Sequence, residues 1–241
     1  EYINQKERFG HWKDCAVMLR GEAVFSLTVM FLQFYEYASK TRENYFGYRH
    51  DFAKAPIVSR GFVQPFADSP TDDELISETT HLNLIAAARK YIYIMTPYLV
   101  IDNEMTQALN IAAKSGVDVR IMIPHIPDKW YVFEVTRSSY EEFTKNGVKI
   151  YEYKPGFVHS KVMIIDDSAA IVGTSNLDFR SYYLHFECGM LLLDHPVLTK
   201  IKQDFVETLD KCIEISYEDC LKTNFFVRLG RAILKLFSAL F

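Results

Sequence analysis

The stretch VKIYEYKPGFVHSKVMIIDDSAAIVGTSN, residues 148–176, decides how the rest of the chain is to be read. Val148–Tyr153 is a β-prone run. Phe157–Ile165 and Ala169–Thr174 are two further strands, joined by Asp166-Asp167-Ser168, a tripeptide of turn formers that makes them a hairpin. A hairpin cannot lie in a purely parallel sheet, so any sheet that holds this stretch is mixed.

Upstream of it, strands and helices alternate. Phe62–Phe66 is a short strand, and Ser69-Pro70 breaks the chain. Thr71 and Glu74 form a capping-box signature that opens a helix to about Lys90. Tyr91–Thr96 is a strand, Asp102 caps a helix that ends at Gly116, Val117–Ile123 is a strand and Asp128–Asn146 a helix. Downstream come a strand at Phe186–Leu193 and a helix from Pro196 to about Ile213. Strands separated by helices of this length predict an α/β fold, with a mixed, mostly parallel sheet flanked by helices.

Before this block, Cys15–Arg20 reads as a strand. Glu22–Ala38 reads as a helix, with Val24, Leu27, Met30, Phe31 and Phe34 at helical spacing. Thr41–Arg60 has no clear period and suits a connector. The chain therefore divides into 1–40, a connector 41–60, a main lobe 61–224 and a final helix 225–241. That helix carries Arg228, Arg231 and Lys235 on one face among apolar residues, and no acid follows Asp219. Such a helix either lies on an anionic membrane surface or docks on its own domain.

Nearly half of the 241 residues are apolar, enough for a substantial core, and the net charge of −4 argues against bulk electrostatic binding of nucleic acid. Cys15, Cys188, Cys212 and Cys220 show neither ligand nor disulfide-framework spacing and read as buried, reduced thiols. The chain begins at Glu1, as a fragment would, and shows no signal peptide. Its apolar run Val24–Phe34 is shorter than the ~20 residues that span a bilayer. No His pair at i, i+4 and no Cys pair suggests a metal site. Asp68, Asp72 and Asp73 read as acids at a helix N-terminus, and His81 as a packed or pocket-edge residue.

Chemistry concentrates at His159, Lys161, Asp166, Gly173, Thr174, Asn176 and Glu187. On a strand, His159 and Lys161 leave the same face. An imidazole can attack phosphorus or carry a leaving-group proton near neutral pH, while an ammonium offsets charge on the non-bridging oxygens. Thr174 and Asn176 can donate hydrogen bonds to those oxygens, and Glu187 can hold the other imidazole nitrogen. Taken singly, each of these residues reads as an ordinary surface or hairpin residue. Together they interrupt otherwise apolar strands, and inward polar groups there are costly unless used.

The pattern H-x-K-x4-D followed by G-T-S-N resembles the HKD motif of the phospholipase D superfamily. Asn176-Leu177-Asp178-Phe179-Arg180-Ser181 and Leu184-His185-Phe186-Glu187 are similar to its cardiolipin synthase branch. So are Thr96-Pro97-Tyr98, Ser115-Gly116-Val117-Asp118-Val119-Arg120, Thr136-Arg137-Ser138 and Tyr151-Glu152-Tyr153-Lys154-Pro155-Gly156-Phe157. Gly10-His11-Trp12-Lys13-Asp14 and Gly21-Glu22-Ala23-Val24 resemble the segment that follows a first HKD motif. The branch usually has Asn where this chain has His185.

The resemblance implies a phospholipase D-like lobe preceded by the tail end of another. His159 and Lys161 would be catalytic, with Glu187 orienting His159. Thr174 and Asn176 would contact phosphate, while Asp166 and Gly173 would be structural. It implies metal-free transfer through a phosphohistidine, turning two phosphatidylglycerols into cardiolipin and glycerol. The partners implied are anionic phospholipid, a membrane surface and a lobe with the first HKD motif, expected upstream with its membrane anchor. A symmetric homodimer is the alternative way to complete the site, and the cytoplasmic face of a bacterial membrane is the implied location. The competing readings are a phospholipase D or nuclease working by hydrolysis and a lobe that is non-catalytic in isolation.

Overall fold

The computed structural model describes residues 2–50, 60–71 and 73–240. The chain starts with β1 (His11–Lys13), α1 (Ala23–Ser39), β2 (Phe62–Asp68) and α2 (Ile76–Ala87). Next come β3 (Tyr91–Met95), β4 (Leu99–Val100), α3 (Asn103–Lys114), β5 (Asp118–Pro124), α4 (Trp130–Ser138), α5 (Tyr140–Lys145) and β6 (Lys149–Tyr153). β7 (Gly156–Val158), β8 (Val162–Ile165), β9 (Ala169–Gly173), β10 (Leu177–Asp178), α6 (Phe179–Tyr183) and β11 (Glu187–Leu193) follow. α7 (Val197–Leu209), β12 (Cys212–Ile215), α8 (Tyr217–Leu221) and α9 (Phe225–Lys235) close the fold.

Among the described residues, eight strands make one mixed sheet in the order β12-β6-β5-β3-β8-β9-β11-β2. The central strand β3 explains the layering. Ile92 and Ile94 enter one core with Leu84 of α2, Leu109 of α3 and Phe143 of α5. Tyr91, Tyr93 and Met95 enter a second core, on the other face, with Leu198 and Phe205 of α7. Both faces are covered, so the central strands are apolar without alternation.

Several details depart from what the sequence predicts. The sheet is mixed, but only β3–β5 and β5–β6 pair in parallel, while the other five pairings are antiparallel. The hairpin β8–β9 and the returns of β11, β2 and β12 set that balance, even though β2, β3, β5, β6 and β9 share one direction. Cys15–Arg20 packs Cys15 and Val17 against the second core, but it has no ladder partner among the described residues and is not a strand. Helix α2 starts later than the Thr71–Glu74 signature suggests. Its first N–H groups, at Ile76 and Ser77, are met by the Asp68 carboxylate at 2.7 and 2.9 Å, a cap that sits on β2 eight residues upstream. Asp72 and residues 51–59 of the connector lie outside the described residues.

The helix expected over 128–146 is two helices. Ser139 N–H donates to Thr136 O at 3.1 Å, and Ser138 Oγ donates to the Val135 carbonyl at 2.5 Å, which tightens and ends the turn. The four cysteines are unpaired, but none is fully buried: Cys15, Cys212 and Cys220 are half-buried and Cys188 is exposed. The last helix docks by its basic face: Arg228 meets Glu141 and Arg231 meets Glu134, each at 2.7 Å.

Candidate active site

The expected strand 157–165 is broken in two at His159–Lys161, and that break makes the site. β7, before it, leaves the large sheet and pairs in parallel with β1, aligning Trp12 with Phe157 and Lys13 with Val158. The Trp12 and Phe157 rings stack at 4.6 Å, and the Trp12 ring lies 5.0 Å from the His159 imidazole. His159 N–H continues the pairing to Lys13 O at 2.7 Å. A glycine is required opposite: a Cβ on Gly156 would lie 2.4 Å from His11 N. Lys13 Nζ ties β1 down through Asp204 of α7, at 2.7 and 2.8 Å.

Directly after this ladder, Asp14 Oδ2 accepts a hydrogen bond from His159 Nδ1 at 2.8 Å. Its other oxygen accepts from Cys15 N–H at 2.9 Å. Desolvation pushes the Asp14 carboxyl up, but hydrogen bonds from His159 and Cys15 and the Lys161 charge outweigh it and hold the group below its usual range. Lys161 Nζ donates to the His159 carbonyl at 2.6 Å. Burial lowers the Lys161 ammonium to about 8, against the opposing pull of Asp14 and Glu187.

The remaining residues arrive from neighbouring strand ends. Lys161 precedes β8, Thr174 follows β9 and Glu187 begins β11, three adjacent antiparallel strands whose ends meet at one edge of the sheet. Gly173 lets β9 and β11 close there, since a Cβ would lie 2.6 Å from Cys188 O. Glu187 does not hold His159. It accepts a short hydrogen bond from Thr174 Oγ1, and its other oxygen faces His185 Nδ1 at 3.5 Å. The correction has a simple cause: Asp14 arrives on the strand paired beside His159 and takes the Nδ1 position first.

Asn176 joins an adjoining cavity of about 300 Å³ with Tyr98, Lys129, Arg180 and His185. Arg180 Nε donates to His185 Nε2 at 3.0 Å. Below them burial pushes the Asp178 carboxyl up, opposed by hydrogen bonds from Ser181 and Asn176. Asp166 lies away from this group. Its carboxylate accepts from the N–H groups of Arg89, Lys90 and Tyr91 at 2.6 to 2.8 Å, fixing the start of β3. His81 is a core residue: Nδ1 donates to Ser77 O at 2.7 Å, and burial drives its pKa down to about 4.

Asp14 was missed as a site residue, although the chain held a signal for it. Asp14-Cys15-Ala16-Val17-Met18-Leu19 echoes Glu187-Cys188-Gly189-Met190-Leu191-Leu192, an acid and cysteine opening an extended apolar run.

This arrangement of a histidine and a lysine at the mouth of a mixed sheet is the phospholipase D fold. A solved phospholipase D family member, Nuc from Salmonella typhimurium, superimposes with a TM-score of 0.56 at 18% identity, covering 65% of this chain and 99% of that one. The cardiolipin synthase, PLD-like domain family matches residues 81–209, and the chain belongs to that family. It is 36% identical to a cardiolipin synthase of Geobacillus kaustophilus, over the whole chain and 48% of that protein. It is 39% identical to cardiolipin synthase 2 of Bacillus anthracis, over the whole chain and 46% of that protein. The chain spans about half the length of the curated relatives it matches.

Proposed function

We propose that the chain supplies one half of a site that transfers a phosphatidyl group between two phosphatidylglycerol molecules, giving cardiolipin and glycerol. The observation that carries this reading is the His159–Asp14 pair beside Lys161. With Nδ1–H given to a carboxylate, the imidazole presents Nε2 outward as base or nucleophile, and Lys161 stands ready for phosphoryl oxygens. Membership of the cardiolipin synthase family supports phosphatidyl transfer as the reaction class.

In the first step a histidine nitrogen bonds to phosphorus as the bond to the glycerol oxygen breaks, and a second histidine protonates the departing alcohol. In the second step that histidine takes the proton of the acceptor hydroxyl, whose oxygen bonds to phosphorus as the nitrogen leaves. His159 fits the acid–base role, and a histidine from the first HKD motif the nucleophilic one. Glu187, the counterpart of Asp14 in the sequence echo, would hold that second imidazole. A phospholipid substrate would put the chain at a membrane surface, and the likeness to cardiolipin synthases favours the cytoplasmic face as the proposed location. No helix among the described residues is long and apolar enough to cross a membrane.

The test is conversion of labelled phosphatidylglycerol in mixed micelles with chelator present, by the full-length protein carrying this chain and by its His159→Ala form. Cardiolipin and glycerol from the parent, reduced about 10²–10⁴-fold in the variant, are expected. Phosphatidic acid as the sole product would make the protein a hydrolase, and activity indifferent to His159→Ala would remove the proposed site.

A further inference from the structure

Helix α9 has its faces in an unexpected arrangement. Its basic side faces the body of the fold: Arg231 is mostly covered and paired with Glu134, while Arg228, about half exposed, pairs with Glu141 at the rim. Leu234 packs on Val132 and Val135 of α4. The opposite side is then the solvent side. It presents Phe226, Leu229, Ile233, Leu236, Phe237 and Leu240 at spacings of three and four, one unbroken apolar stripe. Phe226 is 78% exposed and Leu236 82%. Single exposed apolar residues need no explanation, but a continuous stripe of this length marks an interaction surface.

What covers the stripe follows from its place and its charge. The turn Ser238–Leu240 rests against α6, whose Arg180 lines the cavity beside Asn176. The stripe therefore ends at the candidate phosphate site. Trp130, at the start of α4 and 68% exposed, stands at the same end, next to Lys129 of that cavity. Aromatic residues flanked by lysine or arginine suit the boundary between headgroups and acyl chains. No acid occurs after Asp219, so the helix itself carries no negative side chain, and its acidic neighbours Glu134 and Glu141 are paired with Arg231 and Arg228.

We propose that α9 is a wedge that enters the interfacial layer of a phospholipid bilayer by its apolar stripe and so sets the mouth of the site against the headgroups. Arg228 and Arg231 act as its struts, locking the helix to α4 and α5 with the apolar side outward. Their charges are spent on Glu141 and Glu134, so insertion, not charge, holds the chain to lipid. The proposal rests on the reading of the site as one that acts on phospholipid.

The test is vesicle flotation of the purified 241-residue chain and of a Phe226→Glu/Leu236→Glu double variant. Vesicles are of phosphatidylcholine alone, or of phosphatidylcholine with phosphatidylglycerol, each at low and high salt. The parent should float with both compositions and keep floating at high salt. Phosphatidylglycerol should strengthen binding by about fivefold, the share of a single cation such as Lys235. The double variant should bind about a hundredfold more weakly, from the loss of two large apolar side chains, with unchanged circular dichroism and thermal midpoint. Equal binding by the variant would overturn the wedge. So would binding confined to anionic vesicles at low salt, or self-association that the substitutions abolish without any vesicle binding, which would make a second copy the occupant. Flotation needs no catalysis: binding by the chain with no phosphatidyl transfer by the full-length protein would keep the wedge and remove the transferase reading, and transfer by the full-length protein with no binding by the chain would do the reverse.

Discussion

Replacing Lys161 by Met should make the chain more stable at neutral pH while destroying the site. The ammonium is partly buried, and burial brings its pKa from the ordinary 10.5 to about 8. At 1.36 kcal/mol per pH unit, keeping it charged costs the folded state about 3 kcal/mol. Lys161→Met also leaves the His159 carbonyl without its 2.6 Å donor, which returns about 1 kcal/mol, so a net gain of about 2 kcal/mol is expected. The sign follows from proton counts. Below pH 8 the lysine is charged in both folded and unfolded chain, and the whole cost is present. Between pH 8 and 10.5 the unfolded chain binds more protons, so stability of the parent rises with pH. Above 10.5 both forms are neutral and the cost is gone. Urea unfolding of parent and variant across this range should show a difference of about 2 kcal/mol near pH 7 that closes, and then reverses slightly, as pH passes 10. A variant less stable than the parent at pH 7, or a difference that does not change with pH, would refute a buried, strained ammonium at this position.

The same titration should shape the rate of the proposed transfer, which should fall on the alkaline side with a midpoint near pH 8 as the Lys161 charge is lost, and a Lys161→Arg form should lack that limb in a pH–rate profile. Asp14→Asn should lower the rate about 10²–10⁴-fold by freeing the wrong imidazole tautomer, with Asp14→Glu recovering part of it and with unfolding midpoints unchanged. Gly156→Ala should cost about 2 kcal/mol or more in urea unfolding and change Trp12 fluorescence, because the added methyl meets β1 backbone at 2.4 Å. Asp166→Ala orphans the N–H groups of Arg89, Lys90 and Tyr91 and should destabilise by about 2–3 kcal/mol, leaving the rate per folded molecule near that of the parent.

Local pattern revealed most of the elements in this chain. The apolar run Tyr91–Met95, the Asp102 cap and the Asp166-Asp167-Ser168 turn each act within a few residues, and each was legible. Asp102 Oδ1 does accept from Met105 N–H, at 2.8 Å. What escaped was set by partners far along the chain. Thr71 and Glu74 spelled a capping box, yet Asp68, already fixed on β2, reached the helix N-terminus first. Cys15–Arg20 alternates like a strand, half-buried at Cys15, Val17 and Leu19 and exposed between them, but no described neighbour offers it a ladder. The run Phe157–Ile165 is continuous in β propensity, but it pairs with β1 before His159 and with β3 and β9 after Lys161. β1 and β7 form a sheet of their own, so the chain has to pass from that sheet to the large one between Val158 and Val162, and the break there presents the imidazole and the ammonium.

That break also explains why the residue holding His159 comes from the beginning of the chain. A carboxylate on β8, β9 or β11 shares the edge of the large sheet with Lys161, and Glu187 there is engaged by Thr174. His159 sits at the end of β7, off that sheet, so its natural neighbour is whatever strand pairs with β7. β1 supplies Asp14 one residue beyond its last ladder position, the first place where the acid can turn toward the ring. Site assembly and the docking of residues 11–14 are thus one event. Loosening β1, through Gly156, Asp204 or the Trp12–Phe157 stack, should disturb the tautomer of His159 before it disturbs the core. A lowered rate with an intact thermal midpoint in Asp204→Asn, read beside the shift of the His159 imidazole resonances, is the expected sign of that coupling. An unchanged rate would show that Asp14 holds the ring without help from the ladder.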